Sequence, residues 1–247
     1  MTNIAAARII LIALAIAPAA AWSQTPPSLI RLHQTPETRS DIAPVRANPN
    51  VVSIGLQSIT GGRETWQLEL HGSFTGLEEA DKTQPLQYYA DIRGIRTSIA
   101  FHRNWWSTRS DEAMQALRRA RYLQITVIRI PVQAEGELNE LLRARRASLD
   151  SINLDRPEIV YQTLAGDYSG TFLIVSPLPS LAALDEGVSR SAAAYLRSTG
   201  NPSQRSGAAN FKSDISYETQ LFRIDPLLSR VTSEFAELDP AFWLTRN

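Results

Sequence analysis

Hydrophobic positions along this chain fall mostly into short runs of period two, separated by a few runs of helical period. Residues 51–59 alternate Val52, Ile54 and Leu56 with Ser53, Gly55 and Gln57, which is the pattern of a strand buried on one face. Thr60-Gly61-Gly62-Arg63 turns it back into residues 65–71, so the two runs read as a hairpin. A shorter, mixed strand at 28–34 precedes this pair and another at 97–103 follows it. Residues 36–48 leave room only for a short helix interrupted by Pro44, and helical pieces at 75–81 and 86–92 end at Gly94. Residues 104–121 form a joint in which Ser110 opens a short helix with an acidic first turn.

The grammar then repeats. Residues 122–132 are the most strand-like segment and 134–152 the clearest helix, with Leu138, Leu141, Leu142, Leu149 and Ile152 on one face. Strands at 158–164 and 171–175 flank a Gly-rich turn, and Pro177 and Pro179 are expected to end the second of them. A helix from Leu181, a Gly/Ser/Asn-rich loop at 198–210 and a last strand at 216–224 closed by Asp225-Pro226 follow. A terminal helix at 232–238 leaves Phe242-Trp243 to anchor the tail. Each set reads β-α-β-β-α-β, the ferredoxin-like arrangement. The fold class is therefore α+β: tandem ferredoxin-like repeats, two sheets packed face to face as an α+β barrel. Residues 28–106 make the first unit, 107–120 a linker and 121–243 the second. Crossover rules lead to the expectation that strands 1 and 3 of a unit lie side by side and parallel, with strand 4 beside 1 and strand 2 beside 3.

The segments Gly-Thr-Phe-Leu-Ile-Val-Ser-Pro-Leu-Pro-Ser-Leu-Ala-Ala-Leu-Asp (170–185), Gln-Leu-Phe-Arg-Ile-Asp-Pro-Leu-Leu-Ser (220–229) and Glu-Phe-Ala-Glu-Leu-Asp-Pro-Ala-Phe-Trp (234–243) carry a resemblance. They resemble a group of exported bacterial proteins whose fold is similar to the dimeric α+β barrel superfamily, which includes antibiotic-biosynthesis monooxygenases. The match runs over 120–243 and is weaker over 28–106. It implies a small-ligand cavity between two sheets and no fixed catalytic residues.

The N-terminus changes the setting. Arg8, an apolar run at 9–16 and small residues up to Ser23 describe a secretory signal peptide over residues 1–23, placing the mature protein in the periplasm or outside the cell. The run is shorter than the ~20 apolar residues of a membrane span. There is no cysteine, so neither disulfides nor thiol chemistry are available. Of 25 basic residues one lies in the leader, leaving 24 against 25 acidic ones. That balance gives no field to draw nucleic acid or anionic lipid, and no later segment reads as a membrane span. Arg118, Arg119 and Arg121, and Arg143, Arg145 and Arg146, read as a solvated face and a junction between the units. The oligomeric expectation is a monomer with an internal pseudo-dimer, or a homodimer.

Chemistry is sparse. The motifs of zinc proteases, serine hydrolases, P-loops and dinucleotide folds are absent, no cofactor is assigned and the catalytic residues are unknown. Gly166-Asp-Tyr-Ser-Gly170 has the spacing of a hairpin turn and not of a nucleophile elbow. Glu78, Glu79 and Asp81 read as helix-terminus charges. The three histidines, His33, His71 and His102, all lie in the first unit on the polar phase of their strands. His33 and His71 are expected to be close, and with Glu69 they could hold a metal or serve as a base, although two histidines fall short of the usual ligand count. His102 is expected to lie apart. Trp105-Trp106 reads as an aromatic ligand platform or as packing between the units, and Tyr161, Tyr168 and Arg129 could line a cavity of the second unit. The leading reading is an exported protein binding a small apolar molecule between its halves. Two alternatives remain: a cofactor-independent monooxygenase-like enzyme acting on an aromatic substrate, and metal or haem binding through the first-unit histidines.

Overall fold

Eight strands close into one barrel in the computed structural model, which describes residues 25–36, 51–83, 94–131, 133–154, 156–198 and 215–244. The strands are β1 (Leu29–Pro36), β2 (Val52–Ser58), β3 (Glu64–His71), β4 (Arg96–His102), β5 (Tyr122–Arg129), β6 (Ile159–Ala165), β7 (Thr171–Leu178) and β8 (Ser216–Arg230). The helices are α1 (Phe74–Thr83), α2 (Ser110–Leu117), α3 (Glu135–Ser151), α4 (Ala182–Ser198), α5 (Ser233–Ala236) and α6 (Pro240–Trp243). The expectations for the leader, for residues 37–48 and 86–92, and for the loop beyond residue 198 lie outside the described residues. Among the described residues no helix is long and apolar enough to cross a membrane.

Around the barrel the order is β1-β3-β2-β8-β5-β7-β6-β4, so the first four strands run β4-β1-β3-β2 and the last four β8-β5-β7-β6. Both follow the order 4-1-3-2. Every pair is antiparallel, including β1 with β3 and β5 with β7, which corrects the parallel pairing expected from the sequence. The reason is geometric. A crossover returns strand 2 parallel to strand 1 but one place away, and the hairpin sends strand 3 back, reversed, into the gap. The two units also do not stack as separate sheets. β2 pairs with β8 and β4 with β6, so the free edges satisfy each other and a single sheet closes.

The inward phase of all eight strands fills the barrel. Ile30, Leu32, Ile54, Leu68, Leu123, Ile125, Tyr161, Val175, Phe222 and Ile224 are all buried and form one cluster. One end is plugged. Met114 and Leu117 of α2, Phe235 of α5 and Trp243 of α6 join that cluster, and Trp243 stacks edge-on against Phe235 and donates Nε1–H to Arg118 O at 2.7 Å. Arg118 donates to Phe235 O, and Arg121 lies over the Phe242 ring and pairs with Asp239 at 2.5 Å. The first arginine cluster therefore ties down the C-terminal tail. Outside the barrel, Leu138 of α3 covers Ile128, Val160, Phe172 and Ile174 in a second apolar cluster.

Two strands run past prolines expected to end them. Pro177 lies inside β7, where β5 pairs with it but the β6 pairing has already stopped at Val175, so its missing N–H faces no partner strand. β8 continues beyond Pro226 because a bulge against β2 absorbs the ring: Ser53 pairs with Arg230 and Gly55 with Asp225. Gly55 is required there, since a Cβ would lie 2.4 Å from Leu228 Cβ. Ser110 is the first helical residue rather than the cap. The cap position is Arg109, in the left-handed region; its side chain makes no capping bond but pairs with Glu112 of the helix at 2.9 Å.

Candidate functional site

The outward face of the first unit buries charge. β1 and β3 place Arg31 opposite Glu69. Arg31 Nε donates to Glu69 Oε2 at 2.6 Å, and its Nη1 reaches Asp81 of α1. His71 Nε2 lies 3.4 Å from Glu69 Oε2, His33 Nε2 lies 3.8 Å from Glu69 Oε1, and His33 Nδ1 lies 2.8 Å from Thr97 Oγ1. Glu69 is fully buried, and Arg31, His33 and His71 are nearly so. Burial alone would raise the Glu69 carboxyl. The close approach of His33 and His71 and the charge of Arg31 outweigh it and hold the group far below the usual carboxylate range. The sequence thus paired His33, His71 and Glu69 correctly. It did so on the wrong strand direction: both histidines flank Glu69 because positions 31 and 33 face positions 69 and 67 across an antiparallel ladder. Arg31 supplies the positive charge that a metal would supply. Among the described residues no group of three His, Asp or Glu side chains is arranged to hold a metal. Asp81 serves this cluster rather than a helix terminus, while Glu78 pairs with Lys82 on the surface.

His102 lies on the other side of the sheet. It shares its phase with Ala100 and Ser98, which face the barrel interior, whereas Thr97 on the alternate phase meets His33. Its Nε2 is 3.1 Å from Ser107 Oγ and its ring centroid 5.7 Å from that of Tyr161. Burial pushes the imidazole below its usual pKa, against the pull of Asp111. His102 also lines an open, largely apolar groove of about 630 Å³ with Leu29, Phe74, Phe101 and Leu164. Trp105 and Trp106 form one short helical turn. Trp106 packs edge-on against Phe172 and donates to Asn139 of α3, so it joins the units, while Trp105 is exposed.

At the barrel end opposite Trp243, both units build a pocket. It encloses about 150 Å³, and its wall takes Gln34, Glu64, Arg96 and Ser98 from the first unit and Arg129, Thr163, Asp167, Glu218 and Gln220 from the second. Leu32, Trp66, Val127 and Leu173 form its floor. The expected position between the halves is therefore found, but its lining is polar where an apolar one was expected. Inward positions near a strand's end escape the packed core and can carry solvated side chains. Trp66 Nε1–H donates to Glu64 Oε2 at 2.8 Å, and Gln220 Nε2 donates to Glu218 Oε1 at 2.8 Å. No ion pair within the described residues engages Arg96 or Arg129. Of this set the sequence had singled out only Arg129. Tyr161 is buried in the core and Tyr168 is exposed on the β6–β7 turn.

No protein-family model matches the sequence, and no curated protein matches it. Solved structures do match. One is an anthrone oxidase-like protein at 14% identity, covering 82% of this chain and 93% of that one with a TM-score of 0.45. A second, from Fusobacterium nucleatum subsp. nucleatum, has a monooxygenase name provisionally attached; identity is 7%, coverage 81% and 93%, and TM-score 0.48. A third is a mutant chlorite dismutase from Candidatus Nitrospira defluvii in complex with cyanide, at 10% identity, 85% and 95% coverage and TM-score 0.43. Likenesses at this level carry no argument about chemistry.

Proposed function

We propose that this is a small-molecule-binding protein whose ligand sits in this pocket at the barrel's end and presents an anionic group to Arg96 and Arg129. One observation carries the reading: two arginines, one from each unit, line a single pocket and have no ion pair among the described residues. A guanidinium fork is shaped for a carboxylate or phosphate, and a bound anion would satisfy both groups at once. The volume, about that of five waters, suits a small metabolite rather than a drug-sized one. The same reading takes the two units as a duplicated α+β element and the protein as exported after loss of residues 1–23. Thermal-shift measurements against a panel of small carboxylates and phosphate test it. At least one should raise the melting temperature of the wild type and leave Arg129→Met unmoved; no shift with any anion overturns the reading.

A second reading, an enzyme acting on an aromatic substrate, draws on the apolar groove beside His102. A neutral imidazole in such surroundings is suited to taking a phenolic proton. It requires turnover of a phenol that His102→Gln abolishes, and inertness of the wild type toward a phenol panel contradicts it.

A further inference from the structure

Two features of the mouth narrow the ligand beyond its negative charge. Gln220 is only 8% exposed, and its Oε1 has no hydrogen-bond partner although it lines the pocket. Its orientation is not free to reverse. The amide nitrogen already donates to Glu218 Oε1, and a carboxylate can only accept, so the carbonyl oxygen is left looking for a donor. The second feature is the acidic half of the same wall. Glu64 and Glu218 each spend one oxygen on a neighbouring side chain, and Asp167 spends Oδ1 on the Tyr168 N–H. Each keeps acceptor capacity in a wall that also carries Arg96 and Arg129. A plain carboxylic acid satisfies the arginines but adds repulsion against three carboxylates and gives Gln220 nothing. A plain amine does the reverse.

Building on the anion reading above, we propose that the ligand is a small zwitterion of the amino-acid type. Its carboxylate lies on Arg96 and Arg129, and its ammonium donates to Gln220 Oε1 and the adjacent carboxylates. The opposite charges of the wall thereby become one recognition device: the ligand meets both the basic and the acidic groups, where either charge alone would leave the buried Gln220 acceptor or the arginines unmatched.

Titration calorimetry of the full-length protein with a matched set, alanine, propionate and ethylamine, tests this. Alanine should bind at least tenfold more tightly than either partial analogue. Gln220→Leu should bring alanine down toward propionate while leaving propionate unchanged, with circular dichroism reporting that the variant folds. Where Gln220→Leu does not fold, Glu218→Gln makes the same test by removing one charge that faces the ammonium. If propionate binds as tightly as alanine, the zwitterion is refuted and the anion site stands. If none of the three binds, the zwitterion is refuted; if ethylamine alone binds, or if phosphate fails to bind as well, the anion site is refuted with it.

Discussion

Replacing Glu69 by leucine should cost the fold about 3–5 kcal/mol, because it takes the buried carboxylate away from a buried guanidinium. The structure sets that magnitude. Glu69 has no exposed surface and Arg31 is 6% exposed, and the two meet at 2.6 Å. Asp81, a second acid on Arg31, has a side chain 41% exposed and screened by water, so it compensates little. His33 and His71 lose the same partner. The matching face of the second unit is mainly apolar: there Ile128, Val160, Phe172 and Ile174 pack beneath α3, and the buried Glu158 at its edge is held by Arg145 and Ser176. The double variant Arg31→Met/Glu69→Leu should therefore recover at least half of the loss, since apolar replacement of a whole buried pair is often neutral. The pH dependence has a definite sign. Glu69 has a folded pKa depressed below its usual 4.5, so its contribution is complete above that value and disappears as pH falls below it. Urea denaturation followed by circular dichroism at pH 7, 5, 4 and 3 reads all of this. The gap between the wild type and Glu69→Leu should be largest at pH 7 and shrink below pH 4.5. A single-variant cost under about 1 kcal/mol, a double variant as damaged as the single, or a gap independent of pH would refute the reasoning.

Other perturbations probe the rest of the account. Trp243→Ala removes the ring that plugs the barrel with Phe235 and should cost about 3–5 kcal/mol, seen as a lower urea midpoint. Gly170→Ala places a Cβ 2.0 Å from Ile130 O and should lower the melting temperature markedly, whereas Gly72→Ala, with nothing within 4 Å, should move it little. Arg129→Met should leave the unfolding free energy within about 0.5 kcal/mol of wild type, as befits a half-buried arginine with no ion pair among the described residues, while abolishing anion-induced stabilisation.

Most of the strand plan was legible because alternation is written directly in the residues: β2, β3, β4 and β6 begin and end within a residue or two of their sequence limits. What hid was anything decided by the neighbour across a ladder. Pro177 and Pro226 stop a strand only where the N–H is needed, and neither position needs it. His102 was grouped correctly with Ser98, yet both face inward, because β4 directs Ser98 and Ala100 to the interior and Thr97, Ile99 and Phe101 outward. Polarity alone misassigned the face. The barrel mouth hid for the same reason. Gln34, Arg129 and Gln220 sit one period beyond the apolar inward positions Leu32, Val127 and Phe222, and in a linear sequence they look like ordinary strand ends. Only closure of the barrel brings them together.

The account stands on the two units contributing one arginine each to a single ligand. Side-chain Nε–Hε resonances of arginine, followed by NMR during a ligand titration, observe this at the groups themselves. Arg96 and Arg129 should shift together along one binding curve while Arg31, locked on Glu69, stays still. A response confined to one of them, or seen instead at Arg103 or Arg118, would contradict it.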